Sequence, residues 1–365
     1  MNILFLSTDE PADFSYGGSQ RNSLILLALQ RIAQVDVIVT RDEEVETLAA
    51  DWGPDRMLKV AVPHGSGRLV RLKALAVTRK LVSRVLAEKN YDFIVARYFG
   101  RAALIPRSAH AKLVIDGDDL RRNAVGASSL RRMALRLRAG LIKAVARRAH
   151  HIWLVDPRDR DILDTERTRT SILPNTAKSP PTPLATPART GLRMLMVGLY
   201  SYPPNEEGLI WFARHVLPRI AAEFPGLELH AVGRHHPTRP NALGDAVRMR
   251  GFVDDLSAEY AQADVVICPI LSGTGTQIKV IEALMHARPT VVSSFTYRGF
   301  ADALTPDQHL LVAHDVDEWV RHLSEVLSAP SRFRSMAERG RDAAMNAYNE
   351  GAFADRVIAT FQSKA

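Results

Sequence analysis

A turn rich in glycine and threonine lies between a strand pattern and a helical pattern in the second half of the chain. The apolar run 264–269 is typical of a buried strand, and the helical pattern begins at Gln277. Glycine lets the backbone approach a ligand closely, and the first turn of a helix offers unpaired N–H groups and a partial positive charge. We therefore expect this turn to bind a diphosphate. The residues predicted to contact it are Gly273, Thr274, Gly275 and Thr276.

Two residues of opposite charge follow this turn on the helix. Lys279 and Glu282 are three positions apart, so they share one helix face. A salt bridge on a solvated face is one interpretation, and it would contribute at most a few tenths of a kcal/mol. Because Val280, Ile281 and Ala283 make the helix largely apolar, we favour a ligand or a buried partner for Glu282.

The first half of the chain has two further candidate sites at strand ends. Gly17 and Gly18 precede an apolar-periodic helix, and they fit either an oxyanion-binding turn or an ordinary strand-to-helix turn. An apolar strand ends in Asp116-Gly117-Asp118. Paired carboxylates suit a hard cation, whereas Asp118 or Asp119 alone is a typical helix cap. The residue types leave these alternatives open.

Strand and helix patterns alternate along the chain and must position these residues. The alternation indicates repeated βαβ units, and it occurs twice. Between the two series lies the proline-rich segment 179–190, which predicts a linker. We predict a Rossmann-like domain over 1–178, a second over 191–338, and a C-terminal helical segment over 339–365. The predicted strands are 2–7, 36–40, 93–97, 112–116, 151–155, 192–198, 227–233, 247–253, 264–269, 289–294 and 309–313; helical stretches include 20–34 and 130–149.

Composition and missing motifs exclude several protein classes. The 365 residues contain one cysteine, Cys268, and no apolar run of about 18 residues, so we expect no disulfide, no membrane span and a cytoplasmic protein. The N-terminus also lacks the pattern of a cleaved leader. There is no Walker lysine loop, no complete dinucleotide fingerprint, no zinc-binding helix and no nucleophile elbow. Kinase, dehydrogenase, zinc hydrolase and serine hydrolase assignments therefore lose most of their support.

The net charge of +8 is concentrated in two stretches of the first half. Arg56–Ala87 holds eight of the 48 basic residues, Leu120–Val155 holds nine, and neither contains an acid. Apolar residues recur at helical spacing in both stretches. In Leu120–Val155 they form an apolar stripe along one helix face, which is predicted to include Leu141. Two interpretations of these basic stretches remain open: an ordinary solvated helix face, or a surface that binds an anionic membrane. Nucleic acid is not expected, because aromatics are scarce and not interleaved with the cations.

Several segments together resemble a known family. The second half, over 247–299, is similar to the donor-binding half of glycosyltransferase family 4, which comprises retaining sugar transferases of the GT-B fold. The resemblance also includes short segments before it. Its motifs are Met249–Asp255, Cys268-Pro269, Gly273-Thr274-Gly275, Lys279–Ala283, Arg288–Val292, Met194–Gly198, Pro204-Asn205, Val232-Gly233-Arg234 and Leu173-Pro174-Asn175. The resemblance implies an α/β protein with two Rossmann-like doubly wound domains facing a cleft, and a C-terminal helix that crosses back to the first domain.

The resemblance also implies a function and a set of site residues. A sugar would move with retention from a nucleotide-sugar to a hydroxyl of a glycan or lipid-linked acceptor, in polysaccharide or glycolipid assembly. Glu282 matches the family's ribose-binding glutamate, and Phe252 is assigned to the donor site. Asp118 would orient the acceptor, and Gly17 and Gly18 would form an acceptor or phosphate loop. No cofactor or metal is expected. The two basic stretches, and not the resemblance, suggest that the first domain of this cytoplasmic protein rests on the inner face of the membrane.

The chain departs from the family's pattern at three places. Thr274 stands where the family has a first glutamate, and loop 199–207 lacks the family's diphosphate-binding cations. Arg234, Lys279 and Arg298 are the candidate replacements. A histidine common near the scissile bond is absent, and the equivalent loop is 116–119.

Three alternative functions remain at this point. One is a GT-B nucleotide-sugar epimerase or hydrolase, and another is a catalytically inert scaffold subunit. The third is a metal-dependent GT-A enzyme that holds its cation through Asp116 and Asp118.

Overall fold

The computed structural model describes residues 1–7, 17–42, 56–62, 68–118, 120, 139–163, 168–178, 180, 192–234, 243–273 and 276–362. The chain folds into two compact units of similar size. Unit 1 comprises Met1–Pro174 with Phe353–Ala365, and unit 2 comprises Asn175–Ala352. The predicted linker 179–190 lies almost entirely outside the described residues.

Unit 1 is built on a parallel sheet of seven strands. The strands are β1 Asn2–Ser7, β2 Gln34–Asp42, β3 Met57–Val62, β4 Phe93–Arg97, β5 Leu113–Asp116, β6 His151–Leu154 and β7 Thr170–Ile172. Their order across the sheet is β3-β2-β1-β4-β5-β6-β7. The chain therefore winds outwards from β1 in one direction and from β4 in the other, which is a doubly wound arrangement.

Helices cover this sheet and bury its apolar strands. They are α1 Gly17–Gln30, α2 Arg68–Glu88, the short α3 Phe99–Ala102, and residues 139–146 (α4). The final helix, α12 Glu350–Gln362, contributes Phe353, Ala354 and Val357 to the core of unit 1. The indole Nε1 of Trp153, which is fully buried on β6, donates to Thr360 Oγ1 at 2.8 Å.

Unit 2 repeats the plan with a parallel sheet of six strands. The strands are β8 Arg193–Val197, β9 Glu228–Val232, β10 Val247–Gly251, β11 Val265–Cys268, β12 Thr290–Ser293 and β13 Leu311–Ala313, in the order β10-β9-β8-β11-β12-β13. The helices are α5 Pro203–His215, α6 Leu217–Glu223, α7 Leu256–Ala261, α8 Ile278–Met285, α9 Ser294–Tyr297, α10 Val316–Ser328 and α11 Arg334–Ala347. The winding reverses between β8 and β11, so a crevice is expected at the carboxyl ends of these two strands.

The predicted α/β class is confirmed, and each predicted strand is present within three residues of its bounds. Two strands, β3 and β7, were not predicted. One expectation was wrong: Leu141 was placed on the apolar stripe of its helix, yet 55% of its surface is exposed. Val145, predicted on the same stripe, does contact the core, together with Ile142 and Ala146, which were not predicted there. Among the described helices, none is both long and apolar enough to span a membrane.

Candidate functional site

The carboxyl edge of the unit 2 sheet carries the exposed apolar side chains of this unit. Within its described residues, the large apolar side chains that stand out in solvent are Leu199, Tyr202, Phe252 and Leu271, which are 36% to 62% exposed. All four follow the carboxyl ends of β8, β10 or β11. Ligands of doubly wound sheets bind at this edge. The surface therefore has the position and the apolar character of a ligand site.

Glycines allow two strand ends to pack closely at this edge. Gly198 follows β8 and its N–H donates to Val232 O at 2.9 Å, whereas Gly233 follows β9 and donates to Gly251 O at 2.7 Å. Gly233 has φ +130°, and a Cβ there would lie 1.9 Å from the carbonyl oxygen of Gly198. No side chain fits at Gly233 without moving the backbone.

Arg234 and Phe252 form a cationic and aromatic pair at the ends of β9 and β10. The guanidinium carbon of Arg234 lies 5.4 Å from the centroid of the Phe252 ring. Both side chains are exposed, and 62% of Phe252 is accessible. A flat ring beside an exposed cation can stack on a planar base and attract an anion.

Lys279 is a buried cation whose partners are amides. Its ammonium donates to Asn205 Oδ1 and, at 3.3 Å, to Gln277 Oε1, and Asn205 is itself fixed by a bond to Leu199 O at 2.9 Å. Burial lowers the pKa of Lys279, whereas Cys268 and Glu282 act in the opposite direction. Among the described residues, no carboxylate forms an ion pair with Lys279, so the solvated salt bridge to Glu282 is not formed. A buried charge with neutral partners is stabilised when an anion binds beside it.

Glu282 has the buried partner that the sequence analysis favoured. Its Oε2 accepts a hydrogen bond from the Tyr260 hydroxyl at 3.1 Å. Burial raises the pKa of Glu282 to about 7, although Tyr260 and Lys279 both act to lower it. The side chain remains partly accessible. A carboxylate in this position can accept hydrogen bonds from sugar hydroxyls.

The glycine-rich turn is described at its two ends. Gly273 has φ +113°, and a Cβ there would meet Tyr202 Oη at 3.1 Å and Pro204 Cγ at 3.2 Å. Thr276 is buried, and its carbonyl accepts from Asn175 Nδ2 at 3.1 Å. Thr274 and Gly275 lie outside the described residues. The helix α8 begins without a side-chain cap from Gln277, which leaves its first N–H groups suited to a ligand oxygen.

The three candidate cations occupy different surroundings. Lys279 is buried, whereas Arg234 and Arg298 are exposed after β9 and after α9. Arg234 lies beside Gly233 at the carboxyl edge, and Arg298 directly follows the short helix that begins where β12 ends.

Unit 1 places an ion-pair network at the carboxyl ends of β4 and β5. Asp116 accepts from Arg21 Nε at 2.9 Å, from Arg21 Nη2 at 2.8 Å, and from Arg97 Nη1. Arg97 Nη2 also donates to Asp118 Oδ2 at 2.8 Å. Burial raises the pKa of Asp116, but the charges of Arg21 and Arg97 outweigh it and hold that pKa below its ordinary value.

This network shows which groups the two carboxylates of the Asp-Gly-Asp motif bind in the structure. Asp116 is fully buried and binds two guanidinium groups, so its oxygens are already occupied. Asp118 is partly exposed and paired with Arg97. In the described part of the chain, no cluster of three or more His, Cys, Asp or Glu is placed to hold a metal. Gly17 and Gly18 form the first turn of α1, the helix that carries Arg21.

The fold and this site define a class of protein: a tandem pair of doubly wound domains, the second of which carries a buried lysine and a glycine turn at the carboxyl edge of its sheet. Residues 191–329 match the family model described as Glycosyl transferases group 1. The second unit therefore carries a domain of this family, which confirms the resemblance found in the second half of the sequence.

Similar proteins extend this result. A UDP-N-acetylglucosamine–N-acetylmuramyl-(pentapeptide) pyrophosphoryl-undecaprenol N-acetylglucosamine transferase from Pseudomonas paraeruginosa is 32% identical over 147 residues, covering 35% of this chain and 40% of the relative. This chain thus matches about two-fifths of the length of that curated relative.

Solved structures match over the whole chain. Sucrose-phosphate synthase from Thermosynechococcus elongatus gives a TM-score of 0.75 at 16% identity, covering 99% of this chain and 98% of that one. HepE from Anabaena, in complex with UDP, gives 0.69 at 15% identity with both chains fully covered. At this identity the likeness shows the fold, which is GT-B as expected. The GT-A alternative is therefore wrong.

Proposed function

We propose that this chain is a retaining glycosyltransferase that moves a sugar from a nucleotide-sugar donor to a hydroxyl of a glycan or lipid-linked acceptor. The observation that carries the proposal is the group of Lys279, Glu282 and the glycine turn at the carboxyl edge of unit 2. This group lies inside the segment that matches Glycosyl transferases group 1. Two similar proteins support the substrate classes: the Pseudomonas paraeruginosa transferase, whose name specifies a pyrophosphoryl-undecaprenol acceptor, and HepE, whose structure contains UDP.

The residues of unit 2 account for binding of the donor. The turn at Gly273 and the first N–H groups of α8 bind the diphosphate, and Lys279 supplies a preorganised positive charge. Arg234 adds a second cation at the edge of the crevice. Glu282 accepts hydrogen bonds from ribose hydroxyls, and Phe252 offers a surface for the base. Binding of the diphosphate also gives the buried Lys279 an anionic partner.

The proposed chemical step is the one that the resemblance to glycosyltransferase family 4 implies. The acceptor hydroxyl attacks the anomeric carbon from the leaving-group face while the bond from that carbon to the phosphate oxygen breaks. The hydroxyl proton passes to an oxygen of the departing phosphate, so no nucleophile from the protein is required. Negative charge that develops on the diphosphate is stabilised by Lys279 and the helix N–H groups. On unit 1, Asp118, held by Arg97, orients the acceptor.

A turnover experiment separates this function from its alternatives. Nucleoside diphosphates with different bases are first ranked by the rise they cause in Tm, and the matching nucleotide-sugars are then incubated with and without acceptor. Transfer that requires acceptor supports the proposal, and NMR of the new anomeric proton reports retention or inversion. Turnover without acceptor indicates an epimerase or hydrolase. Binding without turnover indicates a scaffold subunit. Parallel reactions in excess chelator test the proposed independence from metal.

Replacing Glu282 with alanine is expected to weaken nucleoside diphosphate binding about tenfold to a hundredfold. The substitution removes charge-assisted hydrogen bonds to a ribose, each worth roughly 1.5–3 kcal/mol. Isothermal titration calorimetry measures the change, with Glu325→Ala, an exposed glutamate on α10, as the control. Equal affinity of Glu282→Ala and the parent would contradict the ribose assignment.

We also propose that unit 1 binds an anionic membrane surface through its basic helices. The side chains of Arg79, Lys80 and Arg84 are exposed on α2, and Lys143 and Arg147 are exposed near α4. Arg132 and Arg136, predicted to share this role, lie outside the described residues. A lipid-linked acceptor would place the enzyme at such a surface, where each cation contributes about 1 kcal/mol.

Vesicle co-sedimentation tests the membrane proposal. The protein is expected to bind anionic vesicles. Binding should decrease as the salt concentration rises to about 0.5 M, because the Debye length shortens. It should also weaken when Arg79, Lys80 and Arg84 are changed to glutamine. The control changes three exposed arginines of unit 2, Arg219, Arg248 and Arg321. Equal recovery with neutral and anionic vesicles, or equal loss in both triple variants, would show that these helix faces are ordinary solvated surface.

A further inference from the structure

We propose that Tyr260 is a positioning residue that orients the Glu282 carboxylate toward the donor; this inference rests on the proposed function. Tyr260 is fully buried on α7, and its hydroxyl lies 3.1 Å from Glu282 Oε2 and 3.3 Å from Lys279 O. Neither the glycine turn nor the Lys279–Glu282 spacing indicated it, because Tyr260 and Glu282 are 22 residues apart in the chain.

The position of Tyr260 is fixed by the short helix that carries it. Asp255 caps α7 by accepting from Ser257 N at 2.9 Å and from Ala258 N at 3.4 Å. The Tyr260 side chain packs into a cluster with Leu195, Val266 and other apolar residues of the sheet. Its hydroxyl lies against the first two turns of α8, which carry Lys279 and Glu282.

His286 braces the same contact from the end of α8. Its ring stacks on Tyr260 with centroids 4.6 Å apart and an angle of 18°. Because Nδ1 lies 2.7 Å from Glu282 O, a carbonyl that can only accept, we assign the proton to Nδ1, which leaves Nε2 to accept from Ser257 Oγ at 3.2 Å. Burial lowers the pKa of His286, in agreement with a neutral ring. Tyr260 and His286 thus hold the side chain and the backbone of Glu282 respectively.

A tyrosine suits this role because it remains a donor. Burial, followed by the nearby Glu282 carboxylate, raises the pKa of Tyr260 well above its ordinary value, so the hydroxyl stays protonated. Its bond to Oε2 leaves Oε1 of Glu282 without a hydrogen-bond partner among the described residues. That second oxygen is the one available to a ribose hydroxyl.

The charged and polar groups around Glu282 determine how its pKa would change if the Tyr260 hydroxyl were removed. Lys279 on the same helix and the Tyr260 hydroxyl on α7 both favour ionised Glu282, whereas burial disfavours it. Cys268 on β11 is buried and interacts with Lys279, whereas Arg341 on α11, Arg288 after α8 and Asp255 before α7 act on His286. Loss of the hydroxyl therefore shifts the balance toward the protonated acid, so Glu282 should ionise at a higher pH.

The test compares Tyr260→Phe with Tyr91→Phe. Tyr91 is also buried and its hydroxyl donates to the carboxylate of Asp36 at 2.7 Å, but it lies in unit 1. Titration of the Glu282 carboxyl by ¹³C NMR, without nucleotide, is expected to move to higher pH in Tyr260→Phe alone. An unchanged titration overturns the proposal, and this measurement does not depend on the proposed function.

The binding experiment uses the tightest of UDP, GDP, ADP and TDP. Tyr260→Phe is expected to reduce the affinity for that nucleotide roughly tenfold at pH 7. The reduction should be smaller at pH 8.5, where more of Glu282 is ionised. In the Glu282→Ala background the same substitution should change binding little. Equal weakening in both backgrounds means that Tyr260 acts only through the fold, which overturns the proposal. If the parent binds none of the four nucleotides, the proposed function fails, while the carboxyl titration still decides the link between Tyr260 and Glu282.

Discussion

Replacing Asp116 with alanine is expected to destabilise unit 1 by about 3–5 kcal/mol. The carboxylate is fully buried and bonded to the guanidinium groups of Arg21 and Arg97. Removing it takes this counter-charge from both buried guanidinium groups, and the Asp118 carboxylate that Arg97 also binds is partly exposed. Arg21 also donates to the carbonyls of Leu173 and Pro174, at 2.9 and 3.2 Å. Neutral acceptors do not replace a lost counter-charge in a buried site.

Two measurements report this loss of stability: the free energy of unfolding in urea, and hydrogen exchange of the β4 and β5 amides. The control is Asp317→Ala, which breaks an ion pair with Arg219 where 83% of the aspartate side chain is exposed, and a change within about 0.5 kcal/mol is expected there. Similar stability of the two variants would show that the buried network contributes little.

The same network has a defined pH dependence. The pKa of Asp116 lies below its ordinary value of 3.8, so the stabilisation from its ion pairs is present above that pH. Below pH 3.8 the unfolded chain binds the proton while folded Asp116 is still ionised, so the stabilisation decreases as the pH falls. It is lost once the pH falls through the lowered pKa of folded Asp116. Acid unfolding of unit 1 is therefore expected to begin in this range.

Local patterns were sufficient to predict most of the fold. Runs of β-branched residues such as those in β4 and β11 mark strands buried on both faces, and they alternate with helices. The strand β3 was missed because Met57–Val62 falls inside the basic stretch, where charge was the dominant signal. The strand β7 was missed because three residues are too few to show a period.

The candidate site was predictable only where its residues are neighbours in sequence. The glycine turn, Lys279 and Glu282 lie within a dozen residues, so their shared location follows from one strand and one helix. Tyr260 and Asn205 become partners of this group through tertiary packing, across 22 and 74 residues. The arginines paired with Asp116 likewise lie 95 and 19 residues away.

Adding a single methyl group at Gly233 in unit 2 is expected to lower the free energy of unfolding by a large amount. Gly233→Ala would place a Cβ 1.9 Å from the carbonyl oxygen of Gly198 and 2.9 Å from its carbonyl carbon, at φ +130°. Backbone strain of this kind costs roughly 1–3 kcal/mol by itself, and the collision adds to it because both neighbours are backbone atoms that cannot rotate away. We expect a loss of at least about 3 kcal/mol, with the ends of β8 and β9 pushed apart.

A matched glycine separates the collision from the strain. Gly226 also has a left-handed φ, +84°, but a Cβ there would have no atom within 4 Å, so Gly226→Ala should cost only about 1 kcal/mol. Hydrogen exchange of the β8 and β9 amides and the affinity for nucleoside diphosphate are measured in both variants. Gly233→Ala is expected to lose protection and affinity together, because Arg234 and the crevice edge move with the strand end. Equal stability of the two alanine variants would mean that β8 and β9 are not held together at Gly198 and Gly233, and the crevice edge would then owe its shape to other contacts.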